Sequence, residues 1–265
     1  MLRKRASRVV RFIALMTCIT GHLYGADQPN VVVIISDDQA WTDYGFMGHP
    51  VIQTPYLDRL AEQSLVMDRG YVAAPLCRPS LASMLTGRYP FQHGITGNDV
   101  DGSTNRAALD VPLRESFHKF PTFVKTLVAH GYLAHQSGKW WDYHFEYGGF
   151  TSGMTKGWVR EMRDGRNWFQ QFMGGEGTDI GRVTNQPVYD FIEENQSNPF
   201  FIWYAPQLPH YPFDAPNKYR GMYENKGYSK SAVEYYANCT WFDDSVGELI
   251  SHLKSENLFG NTLFI

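Results

Sequence analysis

The sequence is poor in three features, and each absence excludes a class of protein. Its 265 residues contain only three cysteines, Cys18, Cys77 and Cys239, too few for the disulfide framework of a small secreted scaffold. The apolar run near its N-terminus is too short to span a membrane, so we expect no stable membrane span. Its 24 basic side chains are outnumbered by 27 acidic ones. We therefore expect no nucleic-acid partner, which would need a basic surface.

The N-terminal residues have the pattern of a secretory signal peptide. Five basic side chains precede the apolar run 12–19, and the small residues Gly25 and Ala26 then suit cleavage. Because residues 1–26 hold no acidic side chain, removing those five basic groups changes the formal net charge from −3 to −8. We predict a signal peptide over 1–26, one large domain over 27–265, and a periplasmic or secreted protein.

Apolar runs alternate with helical periods along the chain, which predicts an α/β fold with a mostly parallel central sheet flanked by helices. Strands are predicted at 30–36, 65–73, 132–136, 200–205 and 262–265. Helices are predicted at 54–64, 79–86, from Pro121 to 130, at 186–194 and at 231–255. Residues 140–180 show no clear period and are interpreted as a long loop with small elements. Within the last helix we expect Asp243 and Asp244 to face solvent or a lysine.

Polar residues follow the predicted strands at their carboxyl ends, which is where ligands bind in parallel sheets. Asp37 and Asp38 follow the first strand, and Cys77 follows the second. Lys139 follows the third strand and His210 the fourth. Two adjacent carboxylates at a buried strand end are costly unless a cation lies between them, and oxygen ligands favour Ca²⁺ or Mg²⁺. A solvated Asp-Asp turn is the alternative interpretation.

The segment around Cys77 carries the most specific motif. Residues 77–80 read Cys-Arg-Pro-Ser and residues 85–88 read Leu-Thr-Gly-Arg, which together resemble the signature of the sulfatase family. The acidic pair after a β-branched run, Gly-Lys-Trp at 138–140 and Pro-His-Tyr-Pro at 209–212 resemble three further motifs of that family. A structural cysteine at a helix start is the alternative for Cys77.

The resemblance implies a particular chemistry. In sulfatases a formylglycine-generating maturation enzyme oxidises the motif cysteine, here Cys77, to an aldehyde whose hydrate carries two hydroxyls. One hydroxyl attacks the sulfur of a sulfate ester, and the other then expels sulfate. The family binds Ca²⁺, with Mg²⁺ as a possible substitute, through residues matching Asp37, Asp38 and the formylglycine from Cys77. It holds a sulfate oxygen with a lysine matching Lys139 and protonates the leaving oxygen with a histidine matching His210.

The sequence departs from the family pattern at two positions and at its end. Leu81 stands where the family has an arginine, and Trp141 stands where it has a histidine, for which His144 is a candidate substitute. The family continues past Ile265 with further metal ligands. We therefore expect residues 27–265 to be a sulfatase catalytic domain with the alkaline phosphatase-like fold, incomplete at the C-terminus.

Three functions follow from these residues. The leading hypothesis is a sulfatase that hydrolyses a small-molecule or glycan sulfate ester, the organic group being aryl or carbohydrate. The first alternative is a phosphate or phosphonate ester hydrolase of the same superfamily. The second alternative is an inactive fragment that binds sulfated glycans.

Overall fold

The structure is a computed structural model, and it describes residues 28–98, 117–140, 142, 144–155 and 175–265. The predicted signal peptide, residues 1–26, lies outside the described residues, as do Cys18 and Trp141. Among the described helices, none combines the length and apolar character that crossing a membrane requires.

The described residues form a central sheet of five parallel strands, which in chain order are β1 (Asn30–Ile34), β2 (Leu133–Gly138), β3 (Ser152–Gly153), β4 (Phe200–Ala205) and β5 (Thr262–Phe264). Their order across the sheet is β3-β2-β4-β1-β5. The strong β-branched and aromatic runs of β1 and β4 place these two strands inside the sheet. The prediction of an α/β fold around a parallel sheet is confirmed.

Helices cover both faces of the sheet. Those described are α1 (Pro55–Ala61), α2 (Cys77–Thr86), α3 (Pro90–His93), α4 (Phe123–Ala129), α5 (Phe145–Gly148), α6 (Gln186–Glu194), α7 (Asn217–Arg220) and α8 (Lys230–Ser255). Short 3₁₀ turns lie at Gly45–Met47, Gly175–Asp179 and Phe259–Asn261. The strand at 200–205 and the helix at 186–194 have the predicted bounds, and α8 begins one residue before its predicted start.

Strand β4 separates two hydrophobic cores. Its alternate side chains Phe200, Ile202 and Tyr204 pack on one face with α6 and α8. The intervening side chains of β4 pack on the other face with α2 and α4. All six residues of β4 are buried, which is why this strand reads as a continuous apolar run.

Several predicted elements differ from the structure. The strand at 65–73 is wrong, because no strand forms there and Leu65 and Tyr71 are exposed rather than covered by a helix. The helix expected from Pro121 begins at Phe123, since the Thr122 hydroxyl accepts from the backbone of the first turn and makes Thr122 the N-cap. The helix expected over 54–64 ends at Ala61.

The two acidic residues within α8 have different environments. Asp244 lies 3.7 Å from Lys218, as expected. Asp243 is fully buried, which contradicts the prediction that it faces solvent. Its carboxylate accepts hydrogen bonds from the backbone N–H groups of Tyr56 and Leu57, and so caps the first turn of α1. Burial raises the pKa of Asp243 to about 7, although these two hydrogen bonds act to lower it.

Candidate active site

The acidic pair lies just beyond the carboxyl end of β1. The backbone N–H of Asp37 donates to the carbonyl of Leu208 at 2.8 Å, which joins this segment to the loop after β4. Asp37 is buried, whereas the side chain of Asp38 is 63% exposed. Asp38 has φ +60°, a left-handed conformation uncommon outside glycine. Backbone strain of this kind is found at functional sites, where the surrounding structure maintains it.

Lys139 is placed beside Asp37 by a glycine at the end of β2. Gly138 has φ +80°, and a Cβ there would clash with the carbonyl oxygen of Ala205 on the neighbouring strand. The next backbone N–H, that of Lys139, donates to this same carbonyl at 2.6 Å. The Lys139 ammonium then lies 2.5 Å from Oδ2 of Asp37, and both side chains are almost completely buried. A positive charge is thus held at the base of the site.

Cys77 is the first residue of α2, at the end that presents free backbone N–H groups. It lies close to the acidic pair, because single ligand atoms of Asp37, Asp38 and Cys77 all come within 4.8 Å of one another. Burial raises the pKa of the Cys77 thiol, and the charge of Lys139 opposes that shift. The unmodified side chain is therefore a neutral thiol at neutral pH rather than a thiolate nucleophile.

His210 reaches the site from the loop after β4. Its Nδ1 donates to the carbonyl of Tyr211 at 2.6 Å, since a carbonyl oxygen can only accept. Nε2 then faces the acidic pair and lies 3.5 Å from Oδ2 of Asp38. The hydrogen bond at Nδ1 therefore selects Nε2 as the ring atom that can exchange a proton with a bound molecule.

Four of the five predicted site residues line one pocket of about 300 Å³. Asp37, Asp38, Cys77 and Lys139 form its polar wall, and His210 contacts that wall through Asp38. The donor set fits a hard divalent cation as far as its carboxylate oxygens are concerned. The sulfur of Cys77 is a soft ligand, so an oxygen at that position would complete the set better.

The family departures lie in different surroundings. Leu81 is buried in the core beneath α2 and also lines the pocket, so an apolar side chain occupies the position of the family arginine. His144 is the N-cap of α5, where its ring accepts from the backbone of Glu146, and it is not among the pocket residues. Trp141 lies outside the described residues.

Several residues that support the site were not identified from the sequence. Arg78 and Asp142 are both fully buried and form an ion pair at 3.0 Å, which joins the start of α2 to the segment after Lys139. Arg182 and Asn238 hydrogen-bond to the loop that carries His210. None of these contacts is local in sequence, so no spacing or motif indicates them.

Comparisons with known proteins agree with this geometry. The family model described as Sulfatase matches residues 29–265. N-acetylgalactosamine-6-sulfatase of Sus scrofa is 28% identical over 267 residues, which cover 90% of this chain and 49% of that protein. Arylsulfatase A of Bos taurus is 28% identical over 287 residues, which cover 94% of this chain and 53% of that protein.

Solved structures share the fold. Ps i-CgsB has a TM-score of 0.70 at 25% identity, over 90% of this chain and 57% of its own. Its complex with k-i-k-neocarrahexaose has a TM-score of 0.67 at 25% identity, with the same coverage of both chains. The chain spans about half the length of the curated relatives it matches.

Proposed function

This chain belongs to the sulfatase family, and from that membership we propose that the protein hydrolyses sulfate esters of carbohydrates. The proposal is carried by one observation, which is the convergence of Asp37, Asp38, Cys77 and Lys139 on a single pocket. Two carboxylates suited to a cation, an oxidisable side chain and a buried ammonium are the groups that sulfate-ester hydrolysis requires in this family.

The substrate class is supported by the proteins that the chain resembles. One relative is named N-acetylgalactosamine-6-sulfatase, and Ps i-CgsB has been solved with k-i-k-neocarrahexaose. Both names refer to carbohydrates. Aryl sulfates, for which arylsulfatase A is named, are substrates with a good leaving group.

We propose Ca²⁺ as the cation, with Mg²⁺ as the other hard cation that such ligands accept. Asp37 and Asp38 would hold it through their carboxylate oxygens, with the oxidised side chain of Cys77 as a further oxygen ligand. Together the cation and the formylglycine made from Cys77 by a maturation enzyme would supply an activated oxygen nucleophile. Lys139 would pair with a sulfate oxygen, because its charge lies in the same pocket.

We assign the general-acid role to His210. Its Nδ1 is occupied by the Tyr211 carbonyl, which leaves Nε2 to hold the proton that the departing oxygen takes up. Nε2 faces Asp38, so this proton lies on the same side of the site as the proposed cation. A positioned proton donor contributes about 10²–10⁴-fold in rate when the leaving group is a poor one.

Mass spectrometry of the protein purified from its native host tests the modification and the export proposal together. We expect an aldehyde at Cys77 in the peptide that contains it, and a mature N-terminus near residue 27. An intact thiol in every molecule would contradict the formylglycine. A retained N-terminal segment would contradict cleavage of a signal peptide at 1–26.

Hydrolysis assays test the reaction. We expect a faster rate on 4-nitrophenyl sulfate than on 4-nitrophenyl phosphate, loss of activity on chelation of divalent cations, and recovery with Ca²⁺. Cys77→Ala should lower the rate by about 10³-fold or more, as for loss of a nucleophile. Cys239→Ala is the matched control, because Cys239 is buried in α8 away from the pocket, and it should keep most of the activity.

The outcomes separate the alternatives. A faster rate on the phosphate would favour phosphate or phosphonate ester hydrolysis by the same site. Binding of a sulfated glycan without hydrolysis of any sulfate ester, in protein that carries the aldehyde and Ca²⁺, would favour a non-catalytic binding protein.

A further inference from the structure

The loop that carries His210 has few backbone N–H groups to donate to its own carbonyls. Residues 206–212 include three prolines, which have no N–H to donate. Yet each of the six carbonyls from residue 207 onward accepts a hydrogen bond. Leu208 accepts from the backbone of Asp37, and Tyr211 accepts from the His210 ring. The other four carbonyls, those of residues 207, 209, 210 and 212, accept from two side chains that come from distant parts of the chain.

Arg182 is the main donor to this loop. Its guanidinium donates to the carbonyl of Gln207 at 2.6 and 3.2 Å and to that of His210 at 2.8 Å. A further N–H donates to the carbonyl of Pro212 at 3.3 Å. The Asp214 carboxylate, at the end of the loop, pairs with the same guanidinium. The side chain of Arg182 is only 8% exposed. Its planar guanidinium has several N–H donors, which can reach several carbonyls of the loop at once.

The turn that carries Arg182 is itself anchored to the core. Gly181 has φ +74°, and a Cβ there would lie 2.9 Å from the Cβ of Pro206, so glycine allows the turn to approach the start of the loop. The backbone of Gly181 donates to Oδ1 of Asn185, which also accepts from the hydroxyl of Tyr204 in β4. Arg182 therefore has a fixed base from which to hold the loop.

We propose that Arg182 is a positioning residue for His210, and that it fixes the imidazole in the orientation suited to proton donation. This inference rests on the proposed function, in which His210 protonates the leaving oxygen. Removing the guanidinium would take from the carbonyls of Gln207 and His210 the donors they have among the described residues. The loop could then rotate, so that Nδ1 would lose the Tyr211 carbonyl and Nε2 its direction toward Asp38.

Dependence on the leaving group distinguishes positioning from a general loss of structure. A 4-nitrophenolate departs without a proton, whereas a sugar alkoxide needs one, so only the second reaction depends on a well-placed acid. For Arg182→Gln we expect kcat/KM on a monosaccharide sulfate to fall by about 10²-fold, the usual cost of a displaced catalytic group. On 4-nitrophenyl sulfate the loss should stay below about 10-fold. His210→Ala should show the same selectivity.

Two further variants control for loss of folding. Arg182→Lys retains the charge but not the planar set of donors, and should lie between the unchanged protein and Arg182→Gln on the sugar substrate. Arg59→Gln removes an exposed arginine of α1 and should change neither rate. Equal losses on both substrates in Arg182→Gln and Arg182→Lys would overturn the proposal, since a lowered fraction of folded protein affects both reactions alike.

A spectroscopic measurement separates this inference from the proposed function. In ¹H–¹⁵N spectra of the neutral form of the His210 ring, in which one nitrogen carries the proton, we expect that proton on Nδ1 in the unchanged protein and loss of that signal in Arg182→Gln. Retention of the Nδ1 proton signal in a folded Arg182→Gln variant would overturn the positioning role. Failure of the unchanged protein to hydrolyse any sulfate ester would contradict the proposed function, and the ring spectra would still decide the role of Arg182.

Discussion

Two segments bring site residues to the carboxyl edge of the sheet, and they are held in opposite ways. The loop 206–215 presents His210 and is hydrogen-bonded by the buried side chains of Arg182 and Asn238. The segment 65–76 leads to Cys77, and its one hydrogen bond to the described residues is that from the backbone of Ser80 at the start of α2.

Burial shows the same contrast. In the segment 65–76 the apolar side chains Leu65, Met67 and Tyr71 are between 76% and 90% exposed. In the loop 206–215, Leu208 and Ala215 are buried, and Tyr211 and Phe213 are the exposed apolar side chains. Apolar side chains stabilise the position of a segment only when they are buried away from water. Backbone carbonyls stabilise it when they accept hydrogen bonds from a buried donor. The loop 206–215 is therefore held more firmly in place than the segment 65–76.

Asn238→Ala should have the largest effect on stability, because it removes the hydrogen bonds that join α8 to the loop 206–215. The Asn238 amide donates to the carbonyls of Pro209 and Pro212 and accepts from the backbone of Ala215, all at a fully buried position. The Pro212 carbonyl would keep its hydrogen bond from Arg182, but the Pro209 carbonyl and the Ala215 N–H would each lose the hydrogen bond they make among the described residues, at a cost of about 1–3 kcal/mol each. We expect the free energy of unfolding to fall by about 3 kcal/mol in urea denaturation.

The control is Gln63→Ala, at an exposed position just after α1. It removes one hydrogen bond, which the Gln63 amide donates to the carbonyl of Arg59 at 3.4 Å. It should change the free energy of unfolding by less than about 0.5 kcal/mol. If Asn238→Ala were as mild as Gln63→Ala, the loop would not depend on its side-chain donors, and the contrast between the two segments would fail.

The same contrast explains which parts of the fold could be predicted from the sequence. The strand at 200–205 and the helix at 186–194 are specified locally, by a continuous apolar run and by a regular helical period. The apolar residues at 65–73 suggested a strand by composition alone, but a strand also needs a neighbour to pair with. The burial of Asp243 could not be predicted, because its partners are the N–H groups of a helix far away in sequence.

For the site, the residues at strand ends could be predicted and those that support them could not. Asp37, Lys139 and His210 each come after a strand, and the parallel sheet brings such positions together. Arg182 and Asn238 lie in a turn and within a helix, and each acts through contacts with backbone carbonyls. Backbone carbonyls are the same in every residue type, so the sequence carries no signal for these contacts.

Protonation of a histidine buried in β2 should weaken the sheet beneath both segments as the pH falls. His135 lies buried in β2, where burial lowers the pKa of its ring from 6.5 to about 4. The unfolded chain therefore binds a proton between these values that the folded protein does not, so stability is present above pH 6.5 and is lost as the pH falls toward 4. We expect a loss of about 2 kcal/mol between pH 8 and pH 5 from this group.

His135→Gln should remove that loss, measured by urea denaturation as the difference between the two proteins in their change of unfolding free energy from pH 8 to pH 5. The raised pKa of Asp243 acts in the opposite direction but equally in both proteins, so it cancels in this difference. His118→Gln, at an exposed position, should leave the pH dependence unchanged. If His135→Gln and the unchanged protein lost the same free energy of unfolding between pH 8 and pH 5, His135 would not be the source of the loss.

Tyr71→Ser should give the smallest effect and tests the other side of the comparison. Tyr71 is 90% exposed, so the substitution removes almost no buried apolar surface and breaks no hydrogen bond to the described residues. We expect a change of less than about 0.5 kcal/mol in the free energy of unfolding, as for other surface substitutions. A loss above about 1 kcal/mol would mean that this segment is held by contacts as strong as those of 206–215. Because burial and hydrogen bonding are what distinguish the two segments, such a result would show that neither measure identifies which part of the site is fixed.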